Sequence, residues 1–292
     1  MTSASDDDAD AVWLHHRPRL LRVAYGVLGT WSDAEDVVQD AWLRWRRAGP
    51  ATIADTEAWL VTVTTRLALD HLRRAYVKRE TYVGPWLPEP VVDDDPAEAT
   101  ATADSVSFAL LTVLESLSPL ERTVFILRDA FAYPYPEIAG ILDRSEPAVR
   151  QLARRARAHV RDRSPRYDVD IDMQHDVTQR FLDASIGGRL DELLALLAPD
   201  VELVSDTGGI VRAPRRVVVG SDKVARFVVA VAQEPGLVAE FARINGEVGI
   251  LIRDHDATVR YVGITHIVQG RIQTISLIAS PDKLTQINRV SR

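Results

Sequence analysis

Apolar residues recur at helical spacing through the first 166 residues, where no convincing strand pattern occurs. The spacing predicts one helix over about 8–28, a second over about 32–47 and a third over about 55–78. Ser32 and Glu35 stand three residues apart, as in a capping box, and predict the start of the second helix. The first part of the chain is therefore predicted to be all-helical.

A second group of helical patterns begins at about residue 101. Ser118 and Glu121 form another capping box, with proline between them at the first helical position, and predict a helix to about residue 130. A short helix is predicted at 136–142, followed by a turn and a helix with Ser145 as its N-cap. Two short helices joined by a tight turn are typical of a helix-turn-helix.

Beyond residue 166 the pattern changes to short alternating segments mixed with helical ones. Strands are predicted at 201–205, 238–244, 248–253, 258–269 and 271–279. Helices followed by a strand meander indicate an α+β domain with a curved antiparallel sheet. The chain is thus expected to be multidomain. The predicted bounds are 8–80 and 101–166 for two helical domains, 81–100 for a linker, and 173–292 for the α+β domain.

The predicted linker contains prolines at four positions between residues 85 and 96, which disfavour a helix, and an acidic run at 93–95. A solvated spacer has no need of Tyr82, Trp86 and Leu87. These side chains either cover a neighbouring domain surface or form a docking motif, and the sequence leaves both interpretations open.

Composition narrows the class of protein. The chain of 292 residues has a formal net charge of −7, and it contains no cysteine that could form a disulfide or a thiolate metal site. We expect no metal and no cofactor. No apolar run reaches the length of a membrane span and the N-terminus is acidic, so we expect a cytoplasmic protein without a membrane partner.

Arginine is concentrated on the helix that follows Ser145. Eight arginines lie between Arg144 and Arg166, against two acidic residues in the same stretch. Arginines at helical spacing suit phosphate contacts and bidentate hydrogen bonds with guanine edges in the major groove. We therefore predict DNA binding by this helix.

Two further helices carry charged faces. The third helix ends in a basic cluster around Arg73 and Arg74, which predicts a second DNA contact in a separate domain. The second helix presents Asp33, Asp36 and Asp40, an acidic face that either remains solvated or receives a basic protein partner.

Several of these segments resemble a known family. DAEDVVQDAW at 33–42, AWL at 58–60 with LDHLRR at 69–74, and LSPLER at 117–122 with VRQLARRAR at 149–157 are similar to the conserved regions of extracytoplasmic-function RNA polymerase sigma factors. YVGPWLPEP at 82–90, DTGG at 206–209 and SPDKL at 280–284 resemble a subgroup that carries a fused, cone-shaped SnoaL-like α+β domain. The resemblance implies two all-α sigma domains, the second a helix-turn-helix, before that domain.

The resemblance also implies site residues. Those implied to bind the β′ clamp helices of core RNA polymerase are Asp33, Glu35, Asp36, Gln39 and Asp40. Those implied to bind the −10 promoter element are Trp59, Arg66, Asp70, Arg73 and Arg74. Those implied to bind the −35 element are Ser145, Arg150, Arg154, Arg155 and Arg157. No catalytic residue is implied, because the polymerase performs the chemistry.

The fused domain is implied to dock on the linker and to regulate the sigma domains, so that no separate anti-sigma factor is required. The residues implied for this interdomain docking are Tyr82, Pro85, Trp86, Asp206, Gly208, Gly209, Asp282 and Lys283. Where the subgroup commonly has a glycine-rich stretch ending in lysine, this chain has Thr207 and Ile210. The partners implied are core RNA polymerase, through β′ and β, and promoter DNA.

Two rival functions remain. A ligand-responsive regulator could bind an operator without polymerase, but this leaves the acidic helix and the second basic helix unexplained. The α+β domain could instead be an enzyme, with Asp206, Tyr261 and His266 as acid, base and hydrogen-bond donor.

Overall fold

The structure is a computed structural model that describes residues 3–79, 81–92, 106–163, 171–211 and 213–290. The Cα positions divide the chain into two compact units. The first unit comprises Met1–Glu80, Asp104–Val106 and Val113–Arg163, and the second comprises Thr81–Ala103, Ser107–Thr112 and Ser164–Arg292. The acidic run at 93–95 and the predicted helix start near residue 101 lie outside the described residues.

Long amphipathic helices begin the chain. They are α1 (Ser3–Leu28), α2 (Trp31–Ala48) and α3 (Thr56–Arg79), with a short 3-10 turn at Pro50–Thr52. Each helix buries apolar side chains against the other two, and Trp13 of α1 stacks on the buried Trp45 of α2 with ring centroids 6.1 Å apart. The three predicted helices are therefore present.

The predicted capping box at Ser32 is wrong. Helix α2 begins at Trp31, and its N-cap is Thr30, which has an extended backbone. The Thr30 hydroxyl donates a hydrogen bond of 2.5 Å to Asp33 instead of accepting one from a backbone amide. The N-cap lies two residues earlier than predicted because the left-handed Gly29 (φ 75°) ends α1 and turns the chain directly into Thr30.

A second set of helices follows. They are α4 (Phe108–Leu114), α5 (Pro119–Phe125), which continues as a π-helical turn at Ile126–Ala130, α6 (Tyr135–Leu142) and α7 (Glu146–Arg163). The capping box of Ser118 and Glu121 is present at the start of α5, as predicted. Asp143 adopts a left-handed conformation (φ 51°), which ends α6 and makes the tight turn of the helix-turn-helix.

An ionic cluster of the buried Arg122 with the partly buried Arg79 and Glu115 joins α1, α3 and α5 within the first unit. The Glu115 carboxylate is bonded to both Arg79 and Arg122. The Arg122 Nε donates to the Gly26 carbonyl at 3.1 Å, and an Arg79 guanidinium nitrogen donates to the Leu28 carbonyl at 3.0 Å. Burial lowers the pKa of Arg79, which the neighbouring carboxylate opposes. The cluster satisfies two carbonyls at the C-terminus of α1 while it ties α3 to α5.

The second unit is the α+β part of the chain. Its helices are α8 (Ile171–Ile186), α9 (Leu190–Leu196), α10 (Ser221–Ala232) and α11 (Thr285–Val290), with a 3-10 turn at Pro281–Leu284. Its strands are β1 (Leu197–Asp206), β2 (Val218–Val219), β3 (Val238–Ile244), β4 (Glu247–Arg253), β5 (Val259–Val268) and β6 (Arg271–Ile278). The predicted strands are present, and the short β2 is an addition to them.

The six strands form one sheet in the order β2-β1-β6-β5-β4-β3. Strands β3 to β6 make the predicted antiparallel meander, but β1 pairs with β6 in parallel, so the sheet is mixed rather than wholly antiparallel. The physical reason is connectivity. The chain between β1 and β6 is long enough to act as a crossover, and it returns β6 to the edge of β1 in the same direction.

The two faces of this sheet bury different partners. Leu203 and Ile250 lie on the face covered by α8, α9 and α10, called the inner face here. Their sequence neighbours Val204 and Leu251 lie on the opposite, outer face, where Leu87 and Phe108 complete the core. The period-two alternation of the strands therefore serves two separate apolar cores.

No helix in the described ranges combines the length and the apolar character needed to cross a bilayer.

Removing the charge at the centre of the ionic cluster should destabilise the first unit. Glu115→Gln leaves Arg79 and Arg122 without their carboxylate, and we expect a loss of about 3 kcal/mol in the free energy of unfolding. Chemical denaturation followed by circular dichroism measures this loss. The matched control is Glu146→Gln, which removes the surface ion pair with Arg150 and should cost at most about 0.5 kcal/mol. Equal losses in the two variants would contradict the proposed importance of the cluster.

Candidate functional site

Helix α7 separates an apolar stripe from a basic face. Val149, Ala153 and Ala156 are buried at helical spacing, which fixes the rotation of the helix. The predicted −35 residues Arg150, Arg154, Arg155 and Arg157 are all exposed. Ser145 precedes the first turn, and its carbonyl accepts a hydrogen bond from Val149 at 3.1 Å. The structure therefore places the four predicted arginines on one accessible helix, with Ser145 directly before its first turn.

Two of these arginines are held in place by neighbours. Arg150 donates to Glu146 at 2.9 Å and lies 4.4 Å from the ring centroid of Tyr135. Arg157 donates to Asp129 at 2.8 Å, and this hydrogen bond raises its pKa. Such contacts orient the guanidinium groups before any nucleic acid binds, which lowers the conformational entropy lost on binding.

Helix α3 carries the predicted −10 residues on its exposed side. Arg73 and Arg74 are oriented by Asp70, whose carboxylate and carbonyl accept their hydrogen bonds at 3.4 and 3.2 Å. Trp59 is half-buried one turn after the start of the helix. The structure thus places all five predicted residues on α3, spread over four turns.

Arg66 is already engaged with the helix-turn-helix. Its Nε donates to the Ile141 carbonyl at 2.7 Å, and a second guanidinium nitrogen donates to the Gly140 carbonyl at 3.1 Å. Both carbonyls belong to the last turn of α6, where helix geometry leaves them without intrahelical partners. Within the first unit, α3 therefore packs directly against the first helix of the helix-turn-helix.

Acidic side chains lie along one side of α2. Glu35, Asp36 and Gln39 line a shallow hollow of about 350 Å³ together with Arg17, Trp13 and Trp42, so that acidic residues outnumber basic ones there by two to one. This arrangement sets carboxylates beside aromatic rings, which suits a partner that offers both basic and apolar groups.

The two remaining residues of the predicted acidic face lie apart from the hollow. Asp40 is exposed, whereas Asp33 faces His71 of α3 at 3.3 Å.

Among the charged side chains that the structure describes in the second unit, Asp206 is the most buried, with an exposure of 0%. It ends β1, and its two carboxylate oxygens accept hydrogen bonds from the Tyr82 hydroxyl at 2.5 Å and the Leu87 amide at 2.8 Å. The Lys283 ammonium donates to the same carboxylate at 2.5 Å. The structure thus brings together three segments of the chain that the sequence had only marked as candidates.

Lys283 completes the charge balance of this site. Its ammonium also donates to the Leu87 carbonyl and lies 3.8 Å from the ring centroid of Trp86. Burial, reinforced by the Asp206 carboxylate, raises the pKa of the Tyr82 hydroxyl, so that Tyr82 remains a hydrogen-bond donor. The predicted linker is therefore held by the buried Asp206–Lys283 ion pair, and the ring of Trp86 lies against the Lys283 ammonium.

Gly208 and Gly209 are required by the close approach of the chain. Both have left-handed backbones, and a Cβ atom on Gly208 would lie 2.7 Å from the Ser280 hydroxyl. A Cβ atom on Gly209 would lie 3.0 Å from Val83. The loop after β1 therefore keeps a tight contact with the linker, although Thr207 and Ile210 depart from the subgroup pattern.

Not every predicted docking residue is buried. Asp282 is exposed and Pro85 is half-buried.

Sequence reasoning missed several residues that hold the linker. Phe108 is buried in the outer-face core together with Leu87, which the sequence analysis had noted only as an apolar linker residue. Asn245 exchanges two hydrogen bonds with Val91, at 2.9 and 3.1 Å, and adds a short bridge at the sheet edge. The signal for Asn245 was its place before Gly246, since Asn-Gly favours a hairpin turn with a left-handed first residue.

The three residues weighed for catalysis are not assembled. Asp206 faces the linker on the outer face, whereas Tyr261 shares its face of β5 with Gly263. Burial lowers the pKa of His266 and raises that of Tyr261. None of the three is among the described residues that line the apolar cavity of about 310 Å³ on the inner face.

One group of described side chains has the composition of a cation site. The ligand atoms of Asp254, His255 and Asp256 lie within 4.8 Å of one another in the turn between β4 and β5. The Asp254 carboxylate already accepts hydrogen bonds from the Asp256 and Thr258 amides, both at 3.0 Å. The cluster is therefore explained by the turn that it stabilises.

Comparison with known families agrees with the arrangement of the helical unit. The Sigma-70 region 2 family model matches residues 12–76, which include α2 and most of α3. The Sigma-70 region 4 model matches residues 107–160, which include the helix-turn-helix. Two such regions in this order define a bacterial sigma factor, here followed by a SnoaL-like α+β domain.

The chain belongs to the ECF RNA polymerase sigma factors, as predicted. It is 42% identical to the ECF RNA polymerase sigma factor SigJ of Mycobacterium tuberculosis over 92% of this chain and 91% of that protein. The probable ECF RNA polymerase sigma factor SigI of the same species is 33% identical over 95% of both chains. The crystal structure of Mycobacterium tuberculosis SigJ matches 95% of this chain and 98% of that chain, with 38% identity and a TM-score of 0.75.

Removing the charge of Asp206 should release the linker from the second unit. Asp206→Asn preserves the shape of the side chain but leaves the Lys283 ammonium buried without a counter-charge. The expected cost is about 3–5 kcal/mol, expressed mainly as opening of the linker. Amide hydrogen exchange across residues 82–92 measures that opening.

The matched control is the exposed Asp282, which directly precedes Lys283 in the chain. Asp282→Asn removes the same charge at an exposed position, so protection of residues 82–92 should remain as in the original protein. Equal protection in both variants would show that the ion pair does not hold the linker.

Proposed function

We propose that this sigma factor divides its contacts among three helical surfaces in the way that the family resemblance implies. The acidic side of α2 binds the β′ clamp helices of core polymerase, and α3 meets the opened −10 strand. Helix α7 reads the −35 duplex, and the region 4 helices also meet the β subunit. We further propose domain bounds of 8–80, 101–166 and 173–292, with a linker at 81–100.

The basic face of α7 is suited to the −35 duplex because its arginines are exposed on a helix whose other face is buried. Arg150 and Arg157 are oriented by Glu146 and Asp129, as bidentate contacts with base edges require. Arg154 and Arg155 extend from the same helix and suit phosphate contacts, which add affinity without sequence information.

We also propose that the SnoaL-like domain restrains the two DNA-binding regions. The observation that supports this proposal most strongly is the shared burial of Leu87 and Phe108 in the outer-face core. These residues lie at the two ends of the segment 87–108, which connects the two DNA-binding regions and is called the tether. If both ends were released, the tether could extend over about 70 Å. While both ends pack in one core, that reach is lost.

The contact of Arg66 adds a second restraint. The −35 and −10 elements are named for positions about 25 base pairs apart, which corresponds to about 85 Å of duplex. While α3 packs on α6 within the first unit, the proposed −10-binding helix and the proposed −35-binding helix-turn-helix are held side by side. Simultaneous engagement of both elements therefore requires that the Arg66 hydrogen bonds to Gly140 and Ile141 break.

Loss of simultaneous engagement is sufficient for regulation. Linking two binding modules raises overall affinity by about 10²–10⁴ when geometry allows both to bind, and this gain disappears when it does not. Because the restraint is part of the same chain, we propose that no separate anti-sigma factor is required.

Catalysis by the SnoaL-like domain is not part of the proposal. Asp206 is engaged with Tyr82 and Lys283, and the described residues that line the inner-face cavity offer no acid or base. The rival interpretation as an operator-binding regulator leaves the acidic hollow on α2 without a role.

Run-off transcription with core polymerase and a promoter from the chain's own gene neighbourhood tests both parts of the proposal. Asp206→Asn and the milder Tyr82→Phe should raise promoter-specific transcript by about tenfold or more over the original protein, because the tether regains its reach. Asp282→Asn is the matched control and should transcribe as the original does.

The experiment distinguishes failure of the proposed sigma function from failure of the proposed restraint by the linker. If all four proteins produce equal, promoter-specific transcript, the sigma function stands and the restraint by the linker is wrong. If none produces specific transcript even when hydrogen exchange shows an open linker, the sigma function itself is wrong.

Salt dependence tests the role assigned to α7. Changing Arg154 and Arg155 together to Gln should weaken promoter binding and lower the slope of log affinity against log salt by about 1.8 for two lost phosphate contacts. Fluorescence anisotropy at several salt concentrations measures the slope. Arg180 and Arg226, two exposed arginines of the second unit, changed together to Gln are the charge-matched control. An equal change of slope in both double variants would contradict the assignment.

A further inference from the structure

We propose that the cavity on the inner face of the sheet is a binding site for an uncharged, mainly apolar small molecule. The cavity has a volume of about 310 Å³ and lies between α8, α10 and strands of the sheet. Its walls include Phe181 from α8, Phe227 from α10, and Leu203, Ile250, Gly263 and Leu277 from the sheet. It lies on the face opposite the linker, so it is separate from the Asp206 site.

A glycine in the middle of β5 leaves the cavity open. Gly263 is paired with Ile250 on one side and Leu277 on the other, and both of these side chains line the cavity. A Cβ atom on Gly263 would meet nothing closer than 3.9 Å, and its φ is not left-handed. Neither backbone conformation nor crowding therefore requires glycine at this position.

Gly249, a second glycine within a strand, differs from Gly263 because its surroundings leave no room for a side chain. A Cβ atom on Gly249 of β4 would lie 2.4 Å from the Ile244 side chain, so close packing demands glycine there. Protein cores are close-packed, and larger side chains normally fill the space that glycine leaves. At Gly263 the space stays unfilled, which is the arrangement of a ligand pocket rather than of a core.

The chemistry of the walls defines the class of ligand. The described lining residues carry no charge, and a ligand charge buried among them would lack a partner. Ser185 supplies a hydroxyl, but this hydroxyl already donates to the Phe181 carbonyl at 2.6 Å. Binding therefore depends on apolar contact, and the ligand is neutral.

The size of the cavity sets an upper limit on the ligand. A dry apolar cavity of about 150 Å³ holds one benzene molecule, so this one accommodates about two aromatic rings or an equivalent aliphatic body. Ile186 and Val238 are 52% and 67% exposed, and both are lining residues, so the cavity opens to solvent beside them.

Binding of 1-aminonaphthalene tests the proposal, because this probe is neutral, carries two fused aromatic rings, and its fluorescence emission moves to shorter wavelength in apolar surroundings. The full-length protein should bind one molecule per chain, with saturation at micromolar concentrations. Gly263→Phe should weaken binding by about tenfold or more, since the new ring occupies the cavity. The matched control Val219→Phe adds the same ring at an exposed position of β2 and should bind as the original does.

Thermal unfolding of each variant accompanies the titrations. If Gly263→Phe does not fold, Ala239→Phe replaces it, because Ala239 lines the cavity from β3. Failure of the original protein to saturate, or unchanged binding by a folded cavity-filling variant, overturns the proposal. A second copy of the chain covering Ile186 and Val238 would also overturn it, and sedimentation would reveal a dimer that Val238→Asp dissociates. These measurements use neither polymerase nor DNA, so their outcome is independent of the proposed regulation of transcription.

Discussion

The second unit depends on how the charge of Asp206 is neutralised. A carboxylate with no solvent exposure is tolerated only with a cation and hydrogen-bond donors around it, and the chain supplies Lys283, the Tyr82 hydroxyl and the Leu87 amide. These partners come from the turn after β6 and from the linker. The electrostatic requirement of one side chain therefore decides where the linker runs and which apolar residues reach the outer face of the sheet.

The helical unit uses the same principle, with a different consequence. Glu115 holds Arg79 and Arg122, and Arg66 satisfies the last carbonyls of α6. Arg66, which we propose meets the −10 strand, is thus already hydrogen-bonded inside the protein. On that proposal, binding of DNA competes with these internal hydrogen bonds, and a modest change in free energy switches Arg66 between the two sets of partners.

The mixed sheet gives each of its faces a separate task. On the outer face, Leu87 and Phe108 join the core and connect the domain to both ends of the tether. On the inner face, Gly263 leaves room for a neutral ligand between α8 and α10. Because neighbouring residues of one strand point to opposite faces, β5 contributes Val262 to the outer-face core and Gly263 to the cavity wall.

The order of the helices, the helix-turn-helix, most strands and the family could be predicted from the sequence, because periodicity, capping and short motifs are local properties of the chain. The capping box at Ser118 was predictable, whereas that at Ser32 failed because a neighbouring left-handed glycine moved the helix start. The parallel pairing of β1 with β6, the Arg66 contact with α6, and the contacts among Tyr82, Asp206 and Lys283 became visible only in the folded chain. These contacts join residues far apart in the chain, and their partners are selected by burial of charge and by connectivity, which no local pattern records.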